Sequence, residues 1–240
     1  MVPAQPVLLI VAADRREFAG FESRRWGLER AAIGVRWSAR GRLGPNPVLL
    51  AANGPGASNV IEALEAACRV ATITAVVSTG FAGGLAPQLH AGDVFLAETV
   101  LEFGTGVEYS VSLPECAEPA AFRGRLLTVD SVAQDTATKA RLRQTGADAV
   151  DMEAVALARA AQARQLPFYC VRAVSDDART SFEVDFNAAR RPDGTFSGWR
   201  IAAQAGLSRQ RWRHLMDLKR AGEQASRNLA AFLEHCSFNI

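Results

Sequence analysis

The chain has 240 residues, 49% hydrophobic and 22% charged, the balance of an ordinary soluble globular protein and a length that suits one large domain better than two small ones. Lys plus Arg number 27 against 25 Asp plus Glu, so net charge gives no general argument for a nucleic acid or an anionic membrane as partner. One stretch, Arg209 to Arg220, is locally basic, and a solvated helix face is its simpler reading.

Cys68, Cys116, Cys170 and Cys236 are scattered, without a CxxC or a Cys/His pairing at metal-ligand spacing. Reduced thiols in a cytoplasm are the simplest account, and no residue cluster implies a metal or an organic cofactor. Val7 to Ala13 is an apolar run of seven residues with no basic residue before it, which reads as a buried first strand rather than a signal peptide or a membrane span. No later run is long enough to cross a bilayer.

Short apolar runs alternate with longer segments of helical period, the pattern of a sheet covered by helices, hence an α/β class. After the first strand comes a helical stretch from Arg15 to about Arg30, then a strand over 47–52 that ends in the turn Asn53-Gly54-Pro55-Gly56. A helix follows over about 57–70, then a β-branched strand over 74–78 that stops at the glycine-rich TGFAGGL. Strands are predicted over 93–100 and 125–129, a helix over 136–143, a short strand near Ala149 and a strong helix over 152–164. Pro167 introduces a buried strand over 168–174. Residues 177–197 read as polar and irregular, and two helices broken near Gly206-Leu207-Ser208 complete a chain read as one domain over 1–240.

Ligands in open α/β sheets collect where loops converge at the C-terminal strand ends, and three such loops carry unusual chemistry. In Gly54-Pro55-Gly56-Ala57-Ser58-Asn59 two glycines permit a tight turn with N–H groups at a helix N-terminus, although a plain strand-to-helix turn explains them as well. It is not a dinucleotide fingerprint, because Asn59 takes the third glycine position. The run Ser78 to Leu85 marks close backbone approach or a bend in the sheet. Val174-Ser175-Asp176-Asp177 follows the most apolar strand, where an Asp either caps a helix or acts as a general acid. Glu153 reads as a first-turn helix stabiliser or as an acceptor for a vicinal diol, and Glu17 alone as an exposed helical glutamate.

Taken in order, Ala13 with Glu17, NGPGASN, STGFAGGLAPQLHAGDV, AVDMEAVALA and PFYCVRAVSDDA resemble the nucleoside phosphorylase/nucleosidase superfamily, nearest its methylthioadenosine/S-adenosylhomocysteine nucleosidase branch. The likeness runs to about Asp177, some three quarters of the chain. It implies a three-layer α/β/α fold with a central mixed, partly barrel-like sheet, a homo-oligomer of at least two copies, and cleavage of a purine-type nucleoside. It assigns ribose binding to Glu153 and Met152, contact with the departing base to Asp176, orientation of that acid to Ser175, and activation of water to Glu17. Gly80, Phe81, Ala82, Gly83 and Val132 are implied to line the substrate site, whereas His90 and Arg172 are expected to be structural.

Three departures shape the expectation. Ser78 stands where phosphorylases place a phosphate-binding arginine, which favours water over phosphate unless Arg15, Arg16 or Arg40 reaches the site. Phe81 replaces a serine near the sugar, and Val132 an aromatic that stacks on adenine. The SFEVDFNAARRPDG stretch also resembles the hopanoid-associated phosphorylases, which act on a nucleoside with a long apolar 5′ tail. Hydrolysis of a 5′-modified adenine nucleoside is therefore the leading expectation, phosphorolysis with inorganic phosphate as co-substrate the second, and a nucleoside binder without catalysis the third. Retention of Glu17, Glu153 and Asp176 argues against the third.

Overall fold

The computed structural model describes residues 6–22, 26–116 and 121–239. The first apolar run forms β1 (Pro6–Ala12), whose last five residues are all buried, as a central strand covered on both faces requires. A single 3-10 turn (Arg15–Phe18), α1 (Ala19–Glu22), β2 (Glu29–Arg30), β3 (Trp37–Leu43) and β4 (Asn46–Ala52) follow. Next come α2 (Ala57–Val70), β5 (Thr72–Ser78), β6 (Phe81–Gly84), β7 (Val94–Glu102), β8 (Glu108–Ser110), β9 (Glu115–Cys116) and β10 (Phe122–Thr128). The second half contains α3 (Thr136–Arg143), β11 (Ala149–Asp151), α4 (Ala154–Gln162), β12 (Phe168–Asp176), α5 (Phe186–Ala189), α6 (Gly198–Ala205), α7 (Arg209–Glu234) and β13 (Cys236–Ser237).

Among the described residues the main sheet has eleven strands in the order β2-β3-β4-β1-β5-β12-β6-β11-β10-β7-β8. An additional β12–β7 pairing closes β12, β6, β11, β10 and β7 into a ring, so the mixed sheet is open at one end and barrel-like at the other. β12 joins the two halves. Phe168–Cys170 pair in parallel with β5, Val171–Ala173 pair antiparallel with β7, and the end of the strand pairs in parallel with β6. One core packs α2 and α4 on one face of the sheet, and a second packs α1 and α7 on the other. The three-layer expectation holds.

Several local expectations are corrected. The helix expected from Arg15 to about Arg30 is only the 3-10 turn and α1, with residues 23–25 outside the description. Within α1, Gly20 touches α7 so closely that a side-chain carbon there would stand 2.3 Å from the Ser226 carbonyl oxygen. The strong helix begins at Ala154 rather than Met152, because Glu153 takes the N-cap position. Strand β3 was not legible in its charged, edge-type pattern, and the glycine-rich run contains a strand, β6, rather than being only a loop.

The cysteine reading is also corrected. Cys116 and Cys236, 120 residues apart, form a disulfide that joins β9 to β13, while Cys68 and Cys170 are free. Spacing gave no sign of the pair because folding alone brings the two short strands together, so cysteine usage no longer supports a reducing compartment. Among the described residues no helix is long and apolar enough to cross a membrane.

Candidate active site

Two of the carboxylates singled out in the sequence, Glu17 and Asp176, stand against the two ends of β6. Glu17 sits in the 3-10 turn after β1, where Asp14 and Glu17 form a reciprocal capping box. Its Oε2 accepts the Asp14 N–H at 2.8 Å, and its Oε1 accepts the Phe81 N–H at 2.8 Å. Gly80 lies directly against it, since a side-chain carbon at that position would stand 2.5 Å from Glu17 Oε1. With φ at +128°, Gly80 also needs a backbone conformation that other residues rarely adopt. Glu17 is buried, not exposed, and burial raises its pKa, with the Asp14 and Phe81 amides and Arg172 acting in the opposite direction.

At the other end of β6 stands Asp176. The β12–β6 register slips between Val174 and Asp176, a bulge that leaves Ser175 unpaired and turns the end of the strand. Ser175 Oγ lies 2.5 Å from Asp176 Oδ1 and 3.3 Å from the Ala82 carbonyl. Gly83 pairs with Asp176 and keeps its own position clear, because a side-chain carbon there would be 3.3 Å from Asp176 Oδ2. Backbone and small side chains of Gly80, Ala82 and Gly83 thus separate two buried carboxylates. The Phe81 ring instead packs towards α7, reaching Gly222.

Glu153 takes the N-cap position of α4, where its carbonyl accepts the Leu157 N–H at 3.3 Å but its side chain makes no cap bond; instead Oε1 accepts the Gly56 N–H at 2.9 Å, which docks the GPG turn on the AVDMEA segment. Gly54 and Gly56 both have positive φ, the geometry that lets this turn present its amide. Burial first, then the nearby charges of Asp151 and Glu17, push the Glu153 pKa up to about 7. Met152 packs, partly buried, against the small apolar cluster that includes Leu85, Leu127 and Val129. Val132 is held through its backbone: its N–H donates to Asn187 Oδ1 at 2.8 Å and its carbonyl accepts from Asn187 Nδ2 at 3.0 Å.

Arg172 is structural, as expected. Its buried Nη2 donates to Ser78 Oγ at 2.8 Å and Asp151 Oδ2 at 2.7 Å, so Ser78 faces the sheet interior. Neither Arg15, Arg16 nor Arg40 supplies a buried cation: Arg15 pairs with Glu22 at the surface, and Arg16 and Arg40 are exposed. His90 is also exposed and faces Asp93.

Three features escaped the sequence reading. Lys139, 1% exposed on α3, donates to Asp176 Oδ2 at 2.5 Å, to the Asp177 carbonyl at 2.6 Å and to the Thr180 carbonyl at 3.1 Å. It lies 37 residues from Asp176 in a helix with ordinary charge content, so only the fold reveals the pair. Phe182 sets its ring 5.6 Å from Lys139 Nζ and meets Phe186 edge-on, placing aromatic surface beside the group whose carboxyl Lys139 holds. Thr79 Oγ1 is buried next to Gly80 with no hydrogen-bond partner among the described residues. Such a group costs about 1–3 kcal/mol unless something else satisfies it.

Comparisons with known proteins bear on the family and the fold. A family model described as the phosphorylase superfamily matches residues 10–122 and 113–194. A 5′-methylthioadenosine/S-adenosylhomocysteine nucleosidase of Geobacillus kaustophilus is 29% identical over 204 residues, covering 74% of this chain and 87% of the relative. The nucleosidase of that name from Neisseria meningitidis, in complex with methylthio-immucillin-A, superposes with a TM-score of 0.71 at 20% identity over 95% of this chain and 97% of its own. The native futalosine hydrolase of Helicobacter pylori gives 0.70 at 16% identity over 96% of each chain.

Proposed function

The chain belongs to the phosphorylase superfamily and is an enzyme that cleaves nucleosides, and from that premise we propose that it hydrolyses a purine-type nucleoside of the 5′-modified adenine class. The observation that carries the reading is the short glycine-rich β6, with the buried Glu17 carboxylate against its start and Asp176 against its end. Breaking a nucleoside bond leaves an oxocarbenium-like sugar and a negatively charged base, so the reaction needs a proton at the base and a nucleophile at the sugar. In this reading water attacks C1′ and gives its proton to Glu17, whose raised pKa makes it the stronger base. The C1′–N9 electron pair leaves with the base, and Asp176, the carboxylate paired with Lys139 in the free protein, first takes up a proton from solvent and then passes it to N7. Each such group is worth about 10²–10⁴-fold. Glu153 accepts from the ribose hydroxyls, Met152 packs on the sugar, and Phe182 offers an aromatic face that Val132 lacks.

Water is preferred as acceptor because Ser78 is occupied by Arg172 and the three candidate arginines lie outside. A specific observation keeps phosphorolysis as the second reading. Arg36 Nη1 and Arg190 Nη2 would stand 3.2 and 3.4 Å from side-chain carbons on Gly54 and Gly56, beside the N-terminus of α2. Both guanidinium groups are engaged, Arg36 with Asp193 and Arg190 with the Asp130 carbonyl. The proposal takes residues 1–240 as one nucleoside-cleaving domain that assembles as a homodimer, to be checked by light scattering.

The test is release of free base from methylthioadenosine, S-adenosylhomocysteine, adenosine, inosine and a nucleoside with a long alkyl 5′ tail, with and without phosphate. Phosphate-independent release of adenine is expected, and release only with phosphate establishes the second reading. Asp176→Asn should abolish turnover while leaving nucleoside affinity largely intact, and full activity in that variant removes Asp176 from the acid role.

A further inference from the structure

We propose that the outer stripe of α7, with the turn before it, docks on the surface of an anionic lipid bilayer. Each of Arg209, Trp212, Arg213, Met216, Lys219, Arg220 and Glu223 lies three or four residues from another of the set, so they form a single stripe, and all seven are exposed. The inward residues of the helix grow more buried along its length, ending in Ala225, Leu229 and Phe232 in the core, so the stripe is an outer face left uncovered by the chain's own packing. Trp212 and Met216 are 45% and 47% exposed, and Leu207, in the turn between α6 and α7, is fully exposed. Trp212 Nε1 donates to the Gly206 carbonyl at 3.0 Å, which fixes the indole against that turn and beside Leu207.

The charges say what kind of surface covers this face. Four cations stand among the apolar side chains against one carboxylate, Glu223, which is 3.8 Å from Lys219. Arg220 is 3.5 Å from Asp217, while Arg209 and Arg213 have no ion-pair partner among the described residues. Apolar and indole groups interleaved with cations suit the headgroup region, where the apolar tips enter the acyl boundary and the cations meet lipid phosphates. A second copy fits less well, because an isologous pairing of the stripe brings four cations from each copy together with only one carboxylate, Glu223, from each. A nucleic acid backbone offers nothing to Leu207 and Met216.

The first turn of α7 is also tied to the segment that holds Val132. Arg211 Nη1 donates to the Gln204 carbonyl, and Arg200 Nη1 lies within 3.4 Å of the Ala188 and Arg190 carbonyls. The same segment grips Val132 through Asn187. The docking claim itself stands apart from which nucleoside is cleaved.

Full-length protein is sedimented with vesicles of phosphatidylglycerol in phosphatidylcholine, and with phosphatidylcholine alone, at low and high salt. Retention on the anionic vesicles that weakens with salt is expected. Leu207→Ser combined with Met216→Ser, and separately Arg209→Gln combined with Arg213→Gln, should each lower partitioning by roughly tenfold or more. Circular dichroism unchanged from the parent protein shows that these surface variants fold. The proposal is overturned by absence of retention, by retention that the Leu207 and Met216 changes leave intact, or by a loss of self-association in the same variants, which would assign the face to a second copy.

Discussion

Replacing Lys139 by Met tests the arrangement behind Asp176 most directly. The N–O distance of 2.5 Å corresponds to an attraction of about 6–7 kcal/mol at an effective dielectric near 20, offset by several kcal/mol for taking each ion out of water. The intact pair therefore contributes little net stability over an apolar pair, yet losing one partner is costly. Met fills the volume of the lysine stem but leaves a 7%-exposed carboxylate with Ser175 as its remaining side-chain donor, and two carbonyls without the ammonium. Breaking a buried pair in this way costs about 3–5 kcal/mol. Denaturant unfolding at neutral pH should show that loss in Lys139→Met. Lys139→Met with Asp176→Asn should lose less than the two single changes summed, because no unpaired charge is then buried. A Lys139→Met variant within about 1 kcal/mol of the parent refutes the argument. Activity adds a second readout: if the lysine orients the Asp176 carboxyl, kcat falls while KM changes little, and Lys139→Arg restores part of it.

Glu153→Gln is expected to weaken nucleoside binding yet stabilise the free protein. Between its ordinary value of 4.5 and about 7 the folded state keeps a proton that the unfolded chain has released, so this group's contribution to stability falls as pH rises through that window. The variant should therefore match the parent below the window and gain up to the order of 3 kcal/mol above it, read from unfolding curves across pH. Thr79→Val removes the unpartnered hydroxyl; stability should hold or rise, while kcat/KM falls about tenfold if that hydroxyl serves substrate or the attacking water. Unchanged kcat/KM would make Thr79 a bystander. Cys116→Ser opens a crosslink spanning 120 residues and should cost about 2–5 kcal/mol, matched by the parent protein under reductant and absent from the variant so treated.

The sequence by itself determined the parts of this protein that depend on neighbouring residues. Apolar runs such as Val7 to Ala13 and Phe168 to Val174 read as buried strands, the glycines at 54, 56 and 206 mark where the chain turns, and the alanine-rich segment after Glu153 forms a helix. The ordered motifs placed Glu17, Glu153, Asp176 and the glycine-rich run at strand ends, where the structure brings them together. Tertiary structure decided the rest. Closure of the ring through β12 and β7, the burial of Glu17, the approach of Lys139 to Asp176 and the Cys116–Cys236 bond all join residues distant in the chain. Such pairings leave no local pattern, because a lysine on α3 or a cysteine on β13 reads the same whether its partner is near or absent. The stripe on α7 divides along the same line. Its basic character was visible in the chain, but its exposure beside Trp212 and Leu207 follows from which face the core covers.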